Sequence, residues 1–218
     1  MPTVLTCKAL LFDLDGTLID SLPAVDRAWT ALSLKHGLIP SEVLTQVHGR
    51  RSIDSIRRVL PNVDAEVEDA FLRHLESTDM AGVTALPGAI QLLNALPRDK
   101  WAVVTSGTVD VALARLKATG VPEAGAYVFG GDVRHGKPAP DPFLLGARRL
   151  GFHPELCVGI EDTRPGIASV HAAGMKAVGI QVESDLQIRD LTELKVAIKG
   201  DLITLTSSRG SGREEGAG

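Results

Sequence analysis

Near its start the chain carries a short apolar run, Lys8-Ala9-Leu10-Leu11-Phe12, that stops on Asp13-Leu14-Asp15-Gly16. No other feature constrains the fold as much. An unbroken apolar run with no alternating polar positions reads as a strand buried on both faces, the habit of parallel sheets covered by helices. Four more runs read the same way, at 101–105, 126–129, 157–160 and 176–180, and 202–205 is a candidate sixth. Helical stretches separate them. Residues 89–96 follow Pro87-Gly88, and 109–119 end at Gly120, a residue suited to the left-handed C-terminal position. Residues 142–150 follow Asp141 as N-cap with Pro142 at the first helical position, and 164–173 end at Gly174. Strands alternating with helices of about ten residues predict a doubly wound, Rossmann-like parallel α/β sheet.

Residues 20–83 break this rhythm. They show helical periodicity only, at 24–36, 41–47, 52–60 and 65–77. The expected organisation is a core made of residues 1–18 and 84–206, with an all-helical cap, 19–83, inserted after the first strand. The two crossings fall near 18–21 and 82–87. Residues 207–218, rich in Ser, Gly and charge without periodicity, are expected to be a disordered tail.

A chain of 218 residues buries a sizeable core without metal clips or disulfides. The net charge of −4, with Lys and Arg scattered, argues against nucleic acid as a partner. Cys7 and Cys157 have neither the count nor the spacing of a disulfide framework or zinc site, and read as buried thiols. The N-terminal apolar run is too short for a signal peptide, and no run approaches the ~20 residues of a membrane helix, so a cytoplasmic protein without a membrane partner is expected.

In open parallel sheets, ligands bind at the carboxyl ends of the strands. Asp13 and Asp15 stand after the first run, Thr105-Ser106-Gly107 after the second, and Glu161-Asp162 after the fourth; Lys137 lies in a turn ahead of a helix. Crowded carboxylates repel and call for a cation, and hard oxygen ligands suit Mg²⁺. A carboxylate also serves as a covalent nucleophile. Phosphate monoester hydrolysis is slow enough that charge neutralisation must carry most of the catalysis, a task suited to Mg²⁺, Lys137, Thr105 and backbone N–H groups. Gly131 to Lys137 imitates the start of a nucleotide-binding P-loop, but Pro138 stands where the magnesium-holding Ser or Thr belongs. The histidines show no metal-ligand spacing; only His48, in the basic turn His48-Gly49-Arg50-Arg51, reads as functional.

Asp13-Leu14-Asp15-Gly16-Thr17-Leu18, Thr105-Ser106-Gly107, Lys137-Pro138 and Gly159-Ile160-Glu161-Asp162 resemble, in order and spacing, the four signatures of the haloacid dehalogenase superfamily. The resemblance extends to about residue 205. It implies that Asp13 is nucleophile and Mg²⁺ ligand. Asp15 would be the acid–base group, with its carbonyl on the metal. Thr105, Ser106 and Lys137 would hold the phosphoryl group, Asp162 would ligate Mg²⁺, and Glu161 would lie beside it in the inner or outer shell. Gly49, Arg50 and Arg51 would contact the substrate from the cap.

The superfamily includes several reaction types, so fold alone does not choose among them. Asp15 argues against a dehalogenase, and the lack of apolar spans against a transport ATPase. The related sugar phosphomutases carry a histidine where this chain has Val25, which favours a phosphatase. The stretch Asp20 to Val25, with Ala28-Trp29, His36-Gly37 and His48-Gly49, is similar to bacterial sugar and sugar-alcohol phosphatases. The implied substrate is a hexitol or hexose phosphate, with phosphoglycolate or glycerol phosphate as alternatives. A catalytically silent binding protein is disfavoured by the intact Asp13, Asp15, Lys137 and Asp162.

Overall fold

The computed structural model describes residues 3–208. In chain order the elements are β1 (Val4–Cys7), β2 (Ala9–Phe12), β3 (Ile19–Asp20), α1 (Leu22–Lys35), α2 (Pro40–Leu44), α3 (Ser52–Val59), α4 (Ala65–Thr78), β4 (Thr84–Ala85) and α5 (Ala89–Asn94). Then follow β5 (Trp101–Val104), α6 (Val109–Thr119), β6 (Ala126–Val128), α7 (Asp141–Leu150), β7 (Cys157–Glu161), α8 (Arg164–Ala172), β8 (Lys176–Ile180), β9 (Leu186–Ile188), β10 (Leu194–Lys199) and β11 (Leu202–Ser207).

Six strands form one parallel sheet in the order β6-β5-β2-β7-β8-β9. Every residue of β2, β5 and β7 is buried, as their apolar runs require, including Glu161 at the carboxyl end of β7. Alternate residues point to opposite faces. Leu10, Phe12, Trp101, Val103, Val158 and Ile160 join one apolar layer with α5 and α6; Leu11, Val104 and Cys157 join another with α7 and α8. Phe12 meets Trp101 edge-on, with ring centroids 6.0 Å apart. Truncating Phe12 to Ala would remove about 3–5 kcal/mol of stability. α7 lies close against the sheet because Gly146 has no side chain: a Cβ there would stand 2.6 Å from Leu11.

The sixth strand of this sheet is β9, not residues 202–205. The latter belong to β11, which lies in a separate antiparallel sheet of order β1-β11-β10. Its exposed and buried positions nearly alternate, the mark of a strand covered on one face only. Helix α7 also begins one residue early, at Asp141, whose carboxylate pairs with His135 (3.1 Å) rather than capping the helix. Residues 209–218, most of the expected disordered tail, lie outside the described residues, and Ser207 closes β11.

Between β3 and β4 the chain forms α1 to α4, packed around Trp29, Leu32, Ile56 and Leu72. β3 and β4 pair antiparallel, Ile19 opposite Ala85 and Asp20 opposite Thr84, so both crossings run side by side. Cys7 and Cys157 are free and buried, and burial pushes each thiol up to about 12. Among the described residues no helix is long and apolar enough to cross a membrane.

Candidate active site

Asp13 follows β2 directly, and the chain turns back at Gly16, whose N–H donates to Ile19 O at 2.8 Å. Gly16 has φ +85°, a conformation that disfavours any side chain, and a Cβ there would run into the Asp162 carboxylate. Glycine at this position lets the loop after β2 touch the loop after β7. Thr17 closes the contact by donating to Asp162 Oδ1 (3.1 Å).

Lys137 lies beneath Asp13 and is 3% exposed. Its ammonium donates to Asp13 Oδ1 (2.5 Å), Glu161 Oε1 (2.6 Å) and Val104 O (3.0 Å). These contacts use all three of its donors. The ammonium therefore sits under the expected nucleophile, tied to it and to Glu161. Glu161 is just as fully engaged. Its second oxygen accepts from the N–H groups of Asp162 (3.1 Å) and Thr163 (3.0 Å) and from Thr163 Oγ1 (2.9 Å). Thr163 Oγ1 also accepts from Gly166 N–H (3.2 Å), capping α8.

One oxygen from each of Asp13, Glu161 and Asp162 lies within 4.8 Å of the others, the spacing of a metal-binding cluster, in which both Glu161 oxygens are already hydrogen-bonded. Burial pushes Asp13 well above the usual carboxylate range; Lys137 opposes the shift, while Glu161 and Asp162 add to it. Burial and the Glu161 charge lift Asp162 to about 7 against the pull of Lys137. Burial works against the Lys137 ammonium, but Asp13 and Glu161 outweigh it and hold its pKa above the ordinary lysine value. Three carboxylates around one ammonium leave an unbalanced negative charge. An oxygen-only donor set of this kind fits a hard divalent cation.

Asp15 stands outside this acidic group. Its Oδ1 accepts from Ser21 Oγ (2.5 Å) and from Arg115 Nη1 (2.8 Å). Arg115 Nη2 reaches on to Glu76 Oε2 (3.1 Å) on α4. Sequence reasoning missed both Arg115 and Glu76. The buried face of α6 is Val111, Ala112, Arg115 and Leu116, so an arginine occupies a position of the apolar stripe.

A cleft separates the carboxyl ends of the strands from the helical insert. Asp13, Asp15, Thr105, Ser106 and Asp162 line it from the core, and His48, Gly49 and Arg50 from the insert. Leu22, Val25, Trp29, Leu72 and Val111 give it an apolar wall. Thr105 Oγ1 accepts from Gly107 N–H (2.9 Å), and Ser106 Oγ donates to Gly49 O (3.4 Å). A Cβ at Gly49 would stand 2.6 Å from Thr163 Oγ1, so the turn descends onto the core only as glycine. His48 Nε2 lies 3.4 Å from Asp26 Oδ1. Arg51 takes no part in the lining. Its guanidinium pairs with Asp54 (2.6 Å) and donates to the carbonyls of Gly130 (3.3 Å), Val133 (3.1 Å) and Arg134 (3.3 Å), fastening the insert to the core.

Residues 7–174 match the model of the haloacid dehalogenase-like hydrolases. Hexitol phosphatase A of Escherichia coli (strain K12) is 46% identical, covering 82% of this chain and 85% of that protein. Glycerol-1-phosphate phosphohydrolase 2 of Saccharomyces cerevisiae is 35% identical, covering 85% and 79%. The crystal structure of β-phosphoglucomutase from Clostridium difficile superposes with a TM-score of 0.73 at 25% identity, covering 87% of this chain and 93% of that one. With its four sequence signatures gathered around one acidic cleft at the carboxyl ends of the sheet, the chain belongs to the haloacid dehalogenase-like hydrolase family.

Proposed function

We propose that this phosphoric monoester hydrolase removes phosphate from a small sugar or sugar-alcohol phosphate, with Mg²⁺ as cofactor and a phospho-aspartate on Asp13 as intermediate. The observation that carries the reading is Asp13 at the end of β2, resting on the Lys137 ammonium, with a second acid two residues on. A carboxylate oxygen of Asp13 attacks phosphorus, and the phosphorus–oxygen bond of the ester breaks. Asp15 gives its proton to the departing alkoxide. Asp15 then takes a proton from water, whose oxygen attacks phosphorus, and inorganic phosphate leaves with Asp13 restored. Thr105 and Ser106, which line the cleft with Asp13, would steady the phosphoryl oxygens.

Asp13 and Asp162, with the Asp15 carbonyl, would hold Mg²⁺. Glu161, spoken for by Lys137 and Thr163, would orient its neighbours rather than ligate. The bound ion would supply neutralisation of charge on the phosphoryl group. EDTA should abolish turnover and Mg²⁺ restore it, while Ca²⁺ should inhibit because its looser shell misplaces the nucleophile. Binding itself is checked by titrating Mg²⁺ into the protein in a calorimeter; Asp162→Asn should weaken it at least tenfold.

The substrate class rests on the cleft. Leu22, Val25, Trp29, Leu72 and Val111 suit the C–H faces of a polyol chain, and His48, Arg50 and Ser52 offer partners for hydroxyls. We assign the 19–83 insert the role of a cap that closes on bound substrate and excludes water. The names of the two relatives favour hexitol phosphates first and glycerol phosphate second. Val25 on the apolar wall leaves no basic group at the position that distinguishes the mutases, which supports hydrolysis over transfer. A panel of about a hundred phosphorylated metabolites, ranked by kcat/KM, tests the assignment; a leading substrate with no polyol or sugar portion would refute it.

A further inference from the structure

Arg115 is among the largest wholly buried side chains of the protein, and nothing in the chemistry above uses it. It rises from α6, in the core, and meets two carboxylates at once: Asp15 Oδ1 through Nη1 and Glu76 Oε2 through Nη2. Its Nε, also buried, has no hydrogen-bond partner among the described residues. A guanidinium withdrawn from water is costly, and removing one partner from a buried pair is more costly still, so the arrangement holds its members in place. Both hydrogen bonds to the Asp15 carboxylate, from Ser21 and Arg115, end on Oδ1, and among the described residues none is made to Oδ2. It lies 4.0 Å from the point a Cβ on Gly107 would occupy, on the side of the cleft where Thr105 and Ser106 stand.

We propose that Arg115 is a positioning residue for Asp15, and that Glu76 of α4 clamps Arg115 from the helical insert. The bridge fixes Oδ1 so that Oδ2 faces the leaving oxygen of the substrate. Because Glu76 belongs to the insert and Arg115 to the core, the acid is aimed only while α4 is docked on α6. A guanidinium serves here because its planar fork addresses two carboxylates in fixed directions, whereas an ammonium is a point charge on a flexible stem that fixes no direction. The inference rests on the proposed role of Asp15 as proton donor to the leaving group.

The test exploits leaving groups. A hexitol phosphate must expel an alkoxide and needs the proton, whereas p-nitrophenyl phosphate expels a stable phenolate and needs it far less. kcat/KM reports the steps through formation of the phosphoenzyme, so the later use of Asp15 on water does not enter. Arg115→Met should lower kcat/KM for the hexitol phosphate at least tenfold more than for p-nitrophenyl phosphate. Arg115→Lys should recover part of that gap. Glu76→Gln, which leaves the guanidinium in place, should show the same gap at threefold or more, and it carries the test if Arg115→Met does not fold. Equal losses on both esters in every variant would make Arg115 a structural residue and overturn the proposal. Asp15→Asn, measured alongside, separates the two levels. If it shows the leaving-group gap and the Arg115 and Glu76 variants do not, the positioning role alone fails. If Asp15→Asn lacks the gap, the acid role fails with it.

Discussion

Lys137 Nζ lies 2.5 Å from Asp13 Oδ1, and both side chains are almost wholly out of water. The same ammonium holds Glu161, so one positive charge organises two carboxylates from different strands. Lys137→Met would leave Asp13 and Glu161 facing each other without a counter-charge. Breaking a buried pair costs about 3–5 kcal/mol. In a chain of this size that lowers Tm by roughly 10 °C. Turnover should fall at least a hundredfold. A variant melting within about 2 °C of wild type, measured calorimetrically, would show that Lys137 is not the electrostatic centre of the site.

Glu76 supplies a pH prediction. Burial, opposed by Arg115 and reinforced by Asp15, lifts its pKa from 4.5 to about 7. Below pH 4.5 the group is protonated in folded and unfolded chains alike, and it imposes no penalty. Between 4.5 and about 7 the unfolded chain releases the proton while the folded one retains it, so stability is lost as pH rises. Above about 7 the loss is complete. Glu76→Gln carries no such group, so its stability relative to wild type should improve steadily from pH 4.5 to 7 and then level off. Urea melts across that range check the slope; a relative stability that falls with rising pH would reverse the sign and refute it.

The two arginines of the turn after α2 should behave differently. Arg50 lines the cleft, whereas Arg51 fastens Asp54 to three core carbonyls. Arg50→Ala should lower kcat/KM for a hexitol phosphate tenfold or more, about 1.4 kcal/mol of transition-state binding, with a much smaller change for p-nitrophenyl phosphate. Arg51→Ala should weaken both substrates alike, because it loosens the insert as a whole. The reverse pattern in steady-state kinetics would exchange their roles.

How much of this could be read from the chain differs by element. β2, β5 and β7 announce themselves because burial on both faces keeps polar residues out of each strand up to its carboxyl end, where Glu161 meets Lys137. β9 is three residues long with an exposed Gln187 and produces no apolar run, and β10 and β11 are covered on one side only, so 202–205 reads as a strand without showing which sheet it joins. The residues proposed to act on the phosphoryl group stand at strand ends, where a carboxylate or hydroxyl after an apolar run is conspicuous. Arg115 and Glu76 are hidden because charged residues on helices are ordinary. Only the buried stripe of α6, known from packing, shows that this arginine points inward. Arg51 reads like Arg50 in sequence, and what separates them is the fold of the loop at 130–134, far away along the chain.

The proposed transfer of the phosphoryl group to Asp13 is tested most directly by trapping. Asp15→Asn enzyme, mixed with p-nitrophenyl phosphate and Mg²⁺ and quenched in acid, should hold phosphate on the peptide containing Asp13, because the leaving group departs unaided while water attack is crippled. Mass spectrometry should place the phosphate on Asp13 itself, and Asp13→Asn should show neither the adduct nor turnover. Phosphate found on another residue, or wild-type turnover by Asp13→Asn, would contradict the account.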